Sequence, residues 1–243
     1  QCIPVIPITS KTMAELLPLR EQLNNPHPFI VENGAAIFIP VNYFSQQPEN
    51  TKTVADFWVI ENAASRNTWL TLLHNNTDEF SDDYQTFDSI YTEQGIEGIA
   101  ELTGMSSKMA ALANRRLYSE PVHWTGSAAR KKLFIKKMQS LGETVLQGGR
   151  FLNIGGDTDK GRALLQLENL YLEQAAQSSC ETLAIGDSGN DISMLERASS
   201  ALVIKSDNHS PPQLTRSTNC SISSKTGPAG WAVGVADWLQ IQS

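Results

Sequence analysis

The chain has 243 residues, of which 40% are apolar, and a formal net charge of −7. This length allows one large domain or two small ones, and the acidic balance argues against a nucleic-acid groove as the main function. No apolar stretch is long enough for a membrane span, and three widely spaced cysteines form neither a zinc pattern nor a disulfide framework, so we expect a cytoplasmic protein with reduced thiols.

The chain opens on an apolar run and does not begin with Met. Residues 3–8 read Ile-Pro-Val-Ile-Pro-Ile, which predicts a buried strand despite its prolines. A domain seldom begins on a core strand, so we expect residues upstream of Gln1. Helical spacing then predicts a helix over 13–23, and the runs 29–31 and 36–39 predict a hairpin around the turn 32–34.

Residues 43–153 have a different texture, with short helices and strands intermixed. This mixture predicts a separate α+β insertion, and it contains Trp58, Trp69 and Trp124, which we expect in an aromatic core. The predicted helices lie near 65–74, 93–103, 106–114 and 126–141, and the predicted strands near 56–61, 86–91, 121–124, 144–147 and 151–154.

A βα rhythm returns from Asp157 onwards. A helix with apolar spacing over 163–171 is followed by a strand that ends at Ile185. Residues 201–204 predict the last core strand. Residues 224–231, rich in Gly and Pro, predict a loop before a final helix over 232–239.

The most informative stretch is Gly-Asp-Ser-Gly-Asn-Asp at 186–191, because it joins an apolar strand to a helix. Such turns form ligand sites at the carboxyl edge of a parallel sheet. Asp187 and Asp191 can hold a divalent cation through oxygen, and Asn190 can orient a neighbouring carboxylate or phosphate. The alternative is a turn in which Asp187 or Ser188 simply caps the helix.

Two further turns favour an anion. Lys160 begins its helix, where a lysine is unfavourable beside the helix dipole unless an anion is present; the alternative is a solvated surface lysine. Thr9 and Ser10 offer hydroxyl and N–H groups to an oxyanion, or else cap the first helix. In one parallel sheet these turns and the acidic turn would meet at one edge.

The order of these three motifs resembles motifs two, three and four of the haloacid dehalogenase superfamily of phosphatases. Finer matches resemble the mannosyl-3-phosphoglycerate phosphatase family over nearly the whole chain. The matching segments are Thr9–Thr12, Glu32–Gly34, Ser119–Pro121, Gly148–Phe151, Asp159–Gly161, Gly227–Pro228 and Gly230–Trp231.

The resemblance implies an α/β fold, in which a Rossmann-like parallel-sheet core carries an inserted α+β cap domain. The core would be discontinuous, over 1–42 and 154–243, and the cap over 43–153 would select the substrate. The family's first motif, Asp-x-Asp at a strand end, does not precede Thr9. We therefore expect the nucleophilic Asp upstream of this chain, the core to lack its first strand, and residues 1–243 to be inactive alone.

The resemblance also implies a role for each motif residue. Thr9 would bond the transferring phosphoryl group and Lys160 would neutralise its charge. Asp187 would ligate Mg²⁺ directly, and Asp191 directly or through water, while Ser188 and Asn190 would orient the site.

The cap would grip the substrate, and an arginine suits its planar anions. Arg116 and Arg150 are the candidates, although either also fits a surface ion pair. The remaining residues expected at the substrate are Ser10, Lys11, Glu32, Asn33, Gly34, Ser119, Glu120 and Gly149.

These observations predict a Mg²⁺-dependent phosphomonoester hydrolase that acts through an aspartyl-phosphate on a phosphorylated sugar-glycerate, without nucleic-acid or membrane partners. Two alternatives stay open: a non-catalytic relic that binds but does not react, and a sister phosphatase for another sugar phosphate. The four histidines show no ligand spacing and are read as incidental. The sequence leaves the oligomeric state open.

Overall fold

The computed structural model of the chain describes residues 3–147 and 150–240. The chain divides into two compact units, Gln1–Thr158 and Asp159–Ser243. No helix among the described residues is both long and apolar enough to span a membrane.

The first unit contains five α-helices and eight strands among its described residues. The helices are α1 Met13–Gln22, α2 Arg66–Asn76, α3 Phe87–Thr103, α4 Ser107–Asn114 and α5 Ala128–Ser140. The strands are β1 Phe29–Val31, β2 Ala36–Pro40, β3 Lys52–Val54, β4 Phe57–Glu61, β5 Tyr84–Thr86, β6 Glu120–Trp124, β7 Val145–Gln147 and β8 Phe151–Ile154.

These strands form two antiparallel sheets, ordered β1-β2-β4-β3 and β5-β6-β8-β7. The predicted hairpin is confirmed, because β1 pairs with β2 around a 3₁₀ turn at Glu32–Gly34. In the first sheet the rings of Phe29 and Phe38 are stacked and buried. Against the second sheet, Phe134 of α5 and Trp69 of α2 are buried in one hydrophobic cluster. Pairing of β2 with β4 runs across the predicted cap boundary at residue 42, and the predicted division into core and cap stays a prediction.

The second unit has the parallel βα pattern. Its elements are α6 Lys160–Ala175, β9 Leu183–Gly186, α7 Ile192–Arg197, β10 Ser200–Lys205, β11 Cys220–Thr226 and α8 Gly227–Trp238. The sheet order is β11-β10-β9, and both ladders are parallel. Within the described part of this unit, β9 pairs only with β10, so its other edge is open.

Three predicted elements are wrong. Residues 3–8 do not form a buried strand: residues 3–5 are exposed, with Val5 54% accessible, and residues 6–8 are half-buried. Of these residues only Ile8 bridges to Ile30, because Pro4 and Pro7 have no N–H to donate. The strand expected at 86–91 ends at Thr86 as β5, and residues 87–91 are helical because Thr86 and Ser89 form a capping box that starts α3. The expected loop at 224–231 contains the end of β11 and the start of α8.

Candidate functional site

The acidic turn after β9 is folded tightly around Asp191. One carboxylate oxygen, Oδ2, accepts hydrogen bonds from the N–H groups of Asp187 and Ser188, both at 3.1 Å, and from Ser188 Oγ at 3.0 Å. A Cβ on Gly186 would lie 2.5 Å from Asp191 Cβ, so the strand end must be glycine for the carboxylate to approach. Ser188 Oγ also lies 2.6 Å from Asn190 Oδ1, as a residue that orients the turn would.

Lys160 supplies the counter-charge for this carboxylate. Its Nζ lies 2.6 Å from Asp191 Oδ1, and both side chains are buried. Burial alone would raise the pKa of Asp191, but the Lys160 ammonium and the N–H groups of Ser188 and Asp187 outweigh it and hold the pKa below its usual value. The alternative of a solvated surface lysine is therefore wrong for Lys160.

The start of α6 is fixed by a second acidic residue. Asp159 caps the helix by accepting from the Arg162 N–H at 2.8 Å, and it pairs with the Arg162 Nε at 2.7 Å and with Arg197 Nη1 at 3.1 Å. Gly161 donates its N–H to Ser193 Oγ at 3.1 Å, which brings α6 against α7. These contacts hold Lys160 in place at the first residue of its helix.

Asp187 has the more accessible carboxylate of the two predicted metal ligands. Its side chain is 51% exposed, and Oδ2 lies 3.4 Å from His209 Nε2. Residue spacing does not predict this contact, because His209 lies in a loop 22 residues further along the chain. The expectation that all four histidines are incidental does not account for the place of His209 beside Asp187.

Asp187 and Asp191 are the predicted Mg²⁺ ligands, and their carboxylates differ in how many protein partners they already have. Both oxygens of Asp191 already accept from protein donors, and the described residues contain no group of three or more His, Cys, Asp or Glu able to hold a metal. Mg²⁺ commonly keeps several waters and takes one or two carboxylates together with substrate phosphate. Of the two predicted ligands, Asp187 has the carboxylate that fits this pattern, and the metal roles of both stay predictions.

Thr9 and Ser10 belong to the first unit. Thr9 is held from both sides, because its N–H donates to Ile30 O at 3.1 Å and its carbonyl accepts from Asn33 N–H at 2.9 Å. The cap of α1 is Thr12, in a capping box with Glu15, so the capping alternative is wrong for Thr9 and Ser10. Thr9 Oγ1 accepts from the Lys11 N–H at 3.1 Å, which leaves its O–H able to donate.

Glu32, predicted at the substrate, lies inside the first unit. Its fully buried carboxylate accepts from Leu117 N–H at 2.9 Å, from Tyr118 N–H at 3.2 Å and from Ser119 Oγ at 2.6 Å. Arg116 Nε lies 3.6 Å from the same carboxylate, and Arg116 Nη2 donates to Ser10 O at 2.9 Å. This network ties the turn after β1 and the Ser10 backbone to the segment 115–119.

The other predicted substrate residues also have protein partners. Glu120 is buried and pairs with Arg66; burial raises its pKa although Arg66 opposes the shift. Arg150 donates to Thr103 O at 3.0 Å, at the end of α3.

Lys11 Nζ lies 3.2 Å from Glu15, and Gly34 O accepts from Asn62. Asn33 is buried in the turn with φ at +61°. Gly149 lies outside the described residues. For all of these residues the substrate role stays a prediction.

The chain is similar to proteins of known family. The profile of the haloacid dehalogenase-like hydrolases matches residues 3–211. A glucosyl-3-phosphoglycerate/mannosyl-3-phosphoglycerate phosphatase of Methanococcoides burtonii is 32% identical over 238 residues, covering 98% of this chain and 85% of that protein. A mannosyl-3-phosphoglycerate phosphatase of Pyrococcus horikoshii is 30% identical, covering 84% of this chain and 79% of that protein.

Solved structures agree on the fold. A phosphatase of the haloalkanoate enzyme superfamily from Bacteroides thetaiotaomicron matches with a TM-score of 0.62 at 16% identity, over 99% of this chain and 83% of that one. The sucrose-phosphatase of Synechocystis, solved with sucrose and phosphate, matches with a TM-score of 0.54 at 15% identity, over 98% of this chain and 85% of that one. At this level of identity the likeness concerns the α/β fold alone.

Proposed function

Since the chain belongs to the haloacid dehalogenase-like hydrolase family, we propose that it is a sugar phosphatase that acts on mannosyl-3-phosphoglycerate or its glucosyl counterpart. The alignments with the relatives named for these substrates span 98% and 84% of this chain, and 85% and 79% of the relatives. A cytoplasmic location and a small-molecule partner are part of the proposal.

One observation carries it: the buried Lys160–Asp191 pair beside the accessible Asp187. Phosphoryl transfer requires charge neutralisation and positioning more than covalent chemistry from the protein. An ammonium held by a buried carboxylate is fixed in place, so it can face a phosphate without losing side-chain entropy when the substrate binds. Asp191 is thus a positioning residue for Lys160.

Asp187 would hold Mg²⁺ together with water and substrate oxygens. When bound, the ion would neutralise negative charge on the phosphoryl oxygens. The Thr9 hydroxyl, which the resemblance assigns to the phosphoryl group, would donate a hydrogen bond to it. The Lys160 ammonium would stabilise the charge that develops during transfer.

The aspartyl-phosphate mechanism requires a nucleophilic Asp. Asp157-Thr158-Asp159 has the right letters, but Asp159 caps α6 and pairs with Arg162 and Arg197, which does not suit a nucleophile or a general acid. We therefore expect residues 1–243 alone to release no phosphate.

The test is a phosphate-release assay on the natural protein, with mannosyl-3-phosphoglycerate, glucosyl-3-phosphoglycerate and a panel of other sugar phosphates, with and without Mg²⁺. Preferred turnover of the two glycerate compounds would support the proposal. Preference for another sugar phosphate would favour the sister phosphatase. Phosphate binding without release from any substrate would favour the non-catalytic relic.

A further inference from the structure

A cavity of about 680 Å³ opens in the second unit at the carboxyl ends of β9, β10 and β11. This volume is within the range of small-molecule sites, and the carboxyl edge of a parallel sheet is where such sites form. Asp187 lies at the cavity wall, so the cavity adjoins the proposed phosphate site. Its other walls include Lys205, Asp207, Asn208 and Trp231.

Trp231 is the most unusual wall residue. It lies in the second turn of α8 with 44% of its surface exposed, although an indole ring is usually well covered. Trp238, on the same helix, is half-buried and lines a different cavity at the amino ends of the strands. An exposed indole face beside polar groups fits a ligand with an apolar face and a polar rim, which is the character of a pyranose ring.

The polar wall groups suit the rest of a sugar-glycerate. Lys205 is exposed and forms no ion pair within the described part of the chain, so its ammonium can meet a carboxylate. Asp207 and Asn208 can accept from and donate to sugar hydroxyls. The arginines expected to grip the substrate are engaged elsewhere: Arg116 donates to Ser10 O and Arg150 to Thr103 O.

We propose that this cavity is the subsite for the part of the substrate that does not carry the transferred phosphate. Trp231 stacks on the hexose ring and Lys205 pairs with the glycerate carboxylate. This assignment rests on the proposed function and adds two substrate contacts in the second unit to those expected of the cap. Trp231 lies in a segment that resembles the family, but neither Trp231 nor Lys205 is among the residues expected at the substrate.

The first experiment measures binding of the dephosphorylated mannosylglycerate and of glycerate to residues 1–243 by isothermal titration. Trp231→Ala should weaken mannosylglycerate binding at least tenfold and leave glycerate binding unchanged, while Trp231→Phe should retain most of the affinity. Lys205→Met should weaken both ligands. Trp238→Phe is the matched control, with the same residue type on the same helix, and should change neither.

Equal mannosylglycerate affinity in the wild type and Trp231→Ala would overturn the subsite, as would no binding by the wild type at 10 mM ligand, ~10-fold above the upper end of typical small-substrate constants. Thermal unfolding of each variant tests whether it is folded. If Trp231→Ala is unstable, Trp231→Phe, which keeps an aromatic face, is compared with the wild type instead.

The second experiment separates the subsite from the proposed function. It measures the KM and kcat of the natural protein for mannosyl-3-phosphoglycerate. A raised KM in Trp231→Ala supports the subsite, and an unchanged kcat/KM overturns it while the phosphatase function stands. If the wild type releases no phosphate but binds mannosylglycerate through Trp231, the function fails and the subsite stands.

Discussion

Lys160 and Asp191 form the residue-scale basis of the proposed site. Two buried charges are costly to bring together, and removing one leaves the other uncompensated. The pair is bound on both sides, since Asp191 also accepts from the turn of residues 187–188. The cost of burying the pair is offset by these hydrogen bonds, and in the proposed function the pair fixes an ammonium where a phosphate would bind.

A double-mutant cycle measures this coupling. Lys160→Met and Asp191→Asn should each lower the free energy of unfolding by about 3 kcal/mol, and the double variant should lose clearly less than the sum. Urea denaturation measures all four proteins. The control cycle uses the exposed Lys52–Glu61 pair, at 2.7 Å, where coupling below about 1 kcal/mol is expected. Additive losses at Lys160 and Asp191 would contradict this account.

Asp159 gives a pH dependence whose sign follows from its pKa. Burial would raise this pKa, but the Arg162 N–H and guanidinium, with Ser193 and Arg197, hold it below its usual value. A carboxyl with a lowered folded pKa stabilises the protein above its unfolded pKa, and this contribution is lost as the pH falls through the folded pKa.

Asp159→Asn keeps the helix cap but cannot ionise. At pH 7 the variant should be about 1 kcal/mol less stable than the wild type, and the difference should vanish at low pH. Urea denaturation from pH 7 down to about pH 3 measures it. A difference that stays constant over this range would show that the charge of Asp159 is not stabilising.

The motifs of the second unit predicted which residues lie close together, because each motif is a short, recognisable stretch of sequence. The catalytic and metal roles of these residues stay predictions. Asp187 and Asp191 lie in one hexapeptide, and a lysine at a helix start already called for an anion. The burial of Glu32 could not be read from the sequence, because its partners, Leu117 to Ser119, lie at least 85 residues away. A separation of 22 residues likewise hid the contact between Asp187 and His209.

At the scale of elements, the packing of α6 on α7 depends on one glycine. A Cβ at Gly161 would lie 2.2 Å from Ser193 O, a backbone atom that cannot move aside as a flexible side chain can. Gly161→Ala should therefore destabilise by about 2 kcal/mol, although Ala normally favours a helix. Thermal unfolding measures it. Gly189→Ala, with open space at its Cβ, is the control, and equal effects would contradict the packing argument.

The Glu32 network joins the turn after β1 to the segment before β6. Glu32→Gln removes the charge that accepts from Leu117, Tyr118 and Ser119, and should cost about 2 kcal/mol of stability. Glu21→Gln, at an exposed position on α1, is the control. Urea denaturation compares the two variants. Equal stability of both would mean that the charge of the buried Glu32 carboxylate does not stabilise the fold.

Element prediction succeeded where apolar periodicity matched the burial. The helices and strands with buried faces, such as α5 and β4, were located within a few residues. β11 was missed because its sequence is Cys-Ser-Ile-Ser-Ser-Lys-Thr and only Ser223 is buried, so backbone pairing with β10 defines it. The apolar run at 3–8 misled for the opposite reason, since its prolines prevent a ladder.

At the scale of the whole molecule, the chain consists of two units with different architectures. The first has two antiparallel sheets, and the second a parallel sheet whose β9 edge is open among the described residues. The α/β fold class, which the family resemblance implies, is confirmed by the parallel sheet with its helices and by the solved structures of similar fold. That the turns carrying Thr9, Lys160 and Asp187 meet at one site stays a prediction. An assay of catalysis tests it.

Phosphate release from mannosyl-3-phosphoglycerate by the natural protein tests the central claim most directly. The wild type should turn over this substrate, and Lys160→Met should lose at least a hundredfold in kcat/KM because the developing charge is no longer neutralised. Lys160→Arg keeps the charge but not the ammonium geometry, and its kcat/KM should lie between those of the wild type and Lys160→Met. Turnover by Lys160→Met at the wild-type rate would contradict the account.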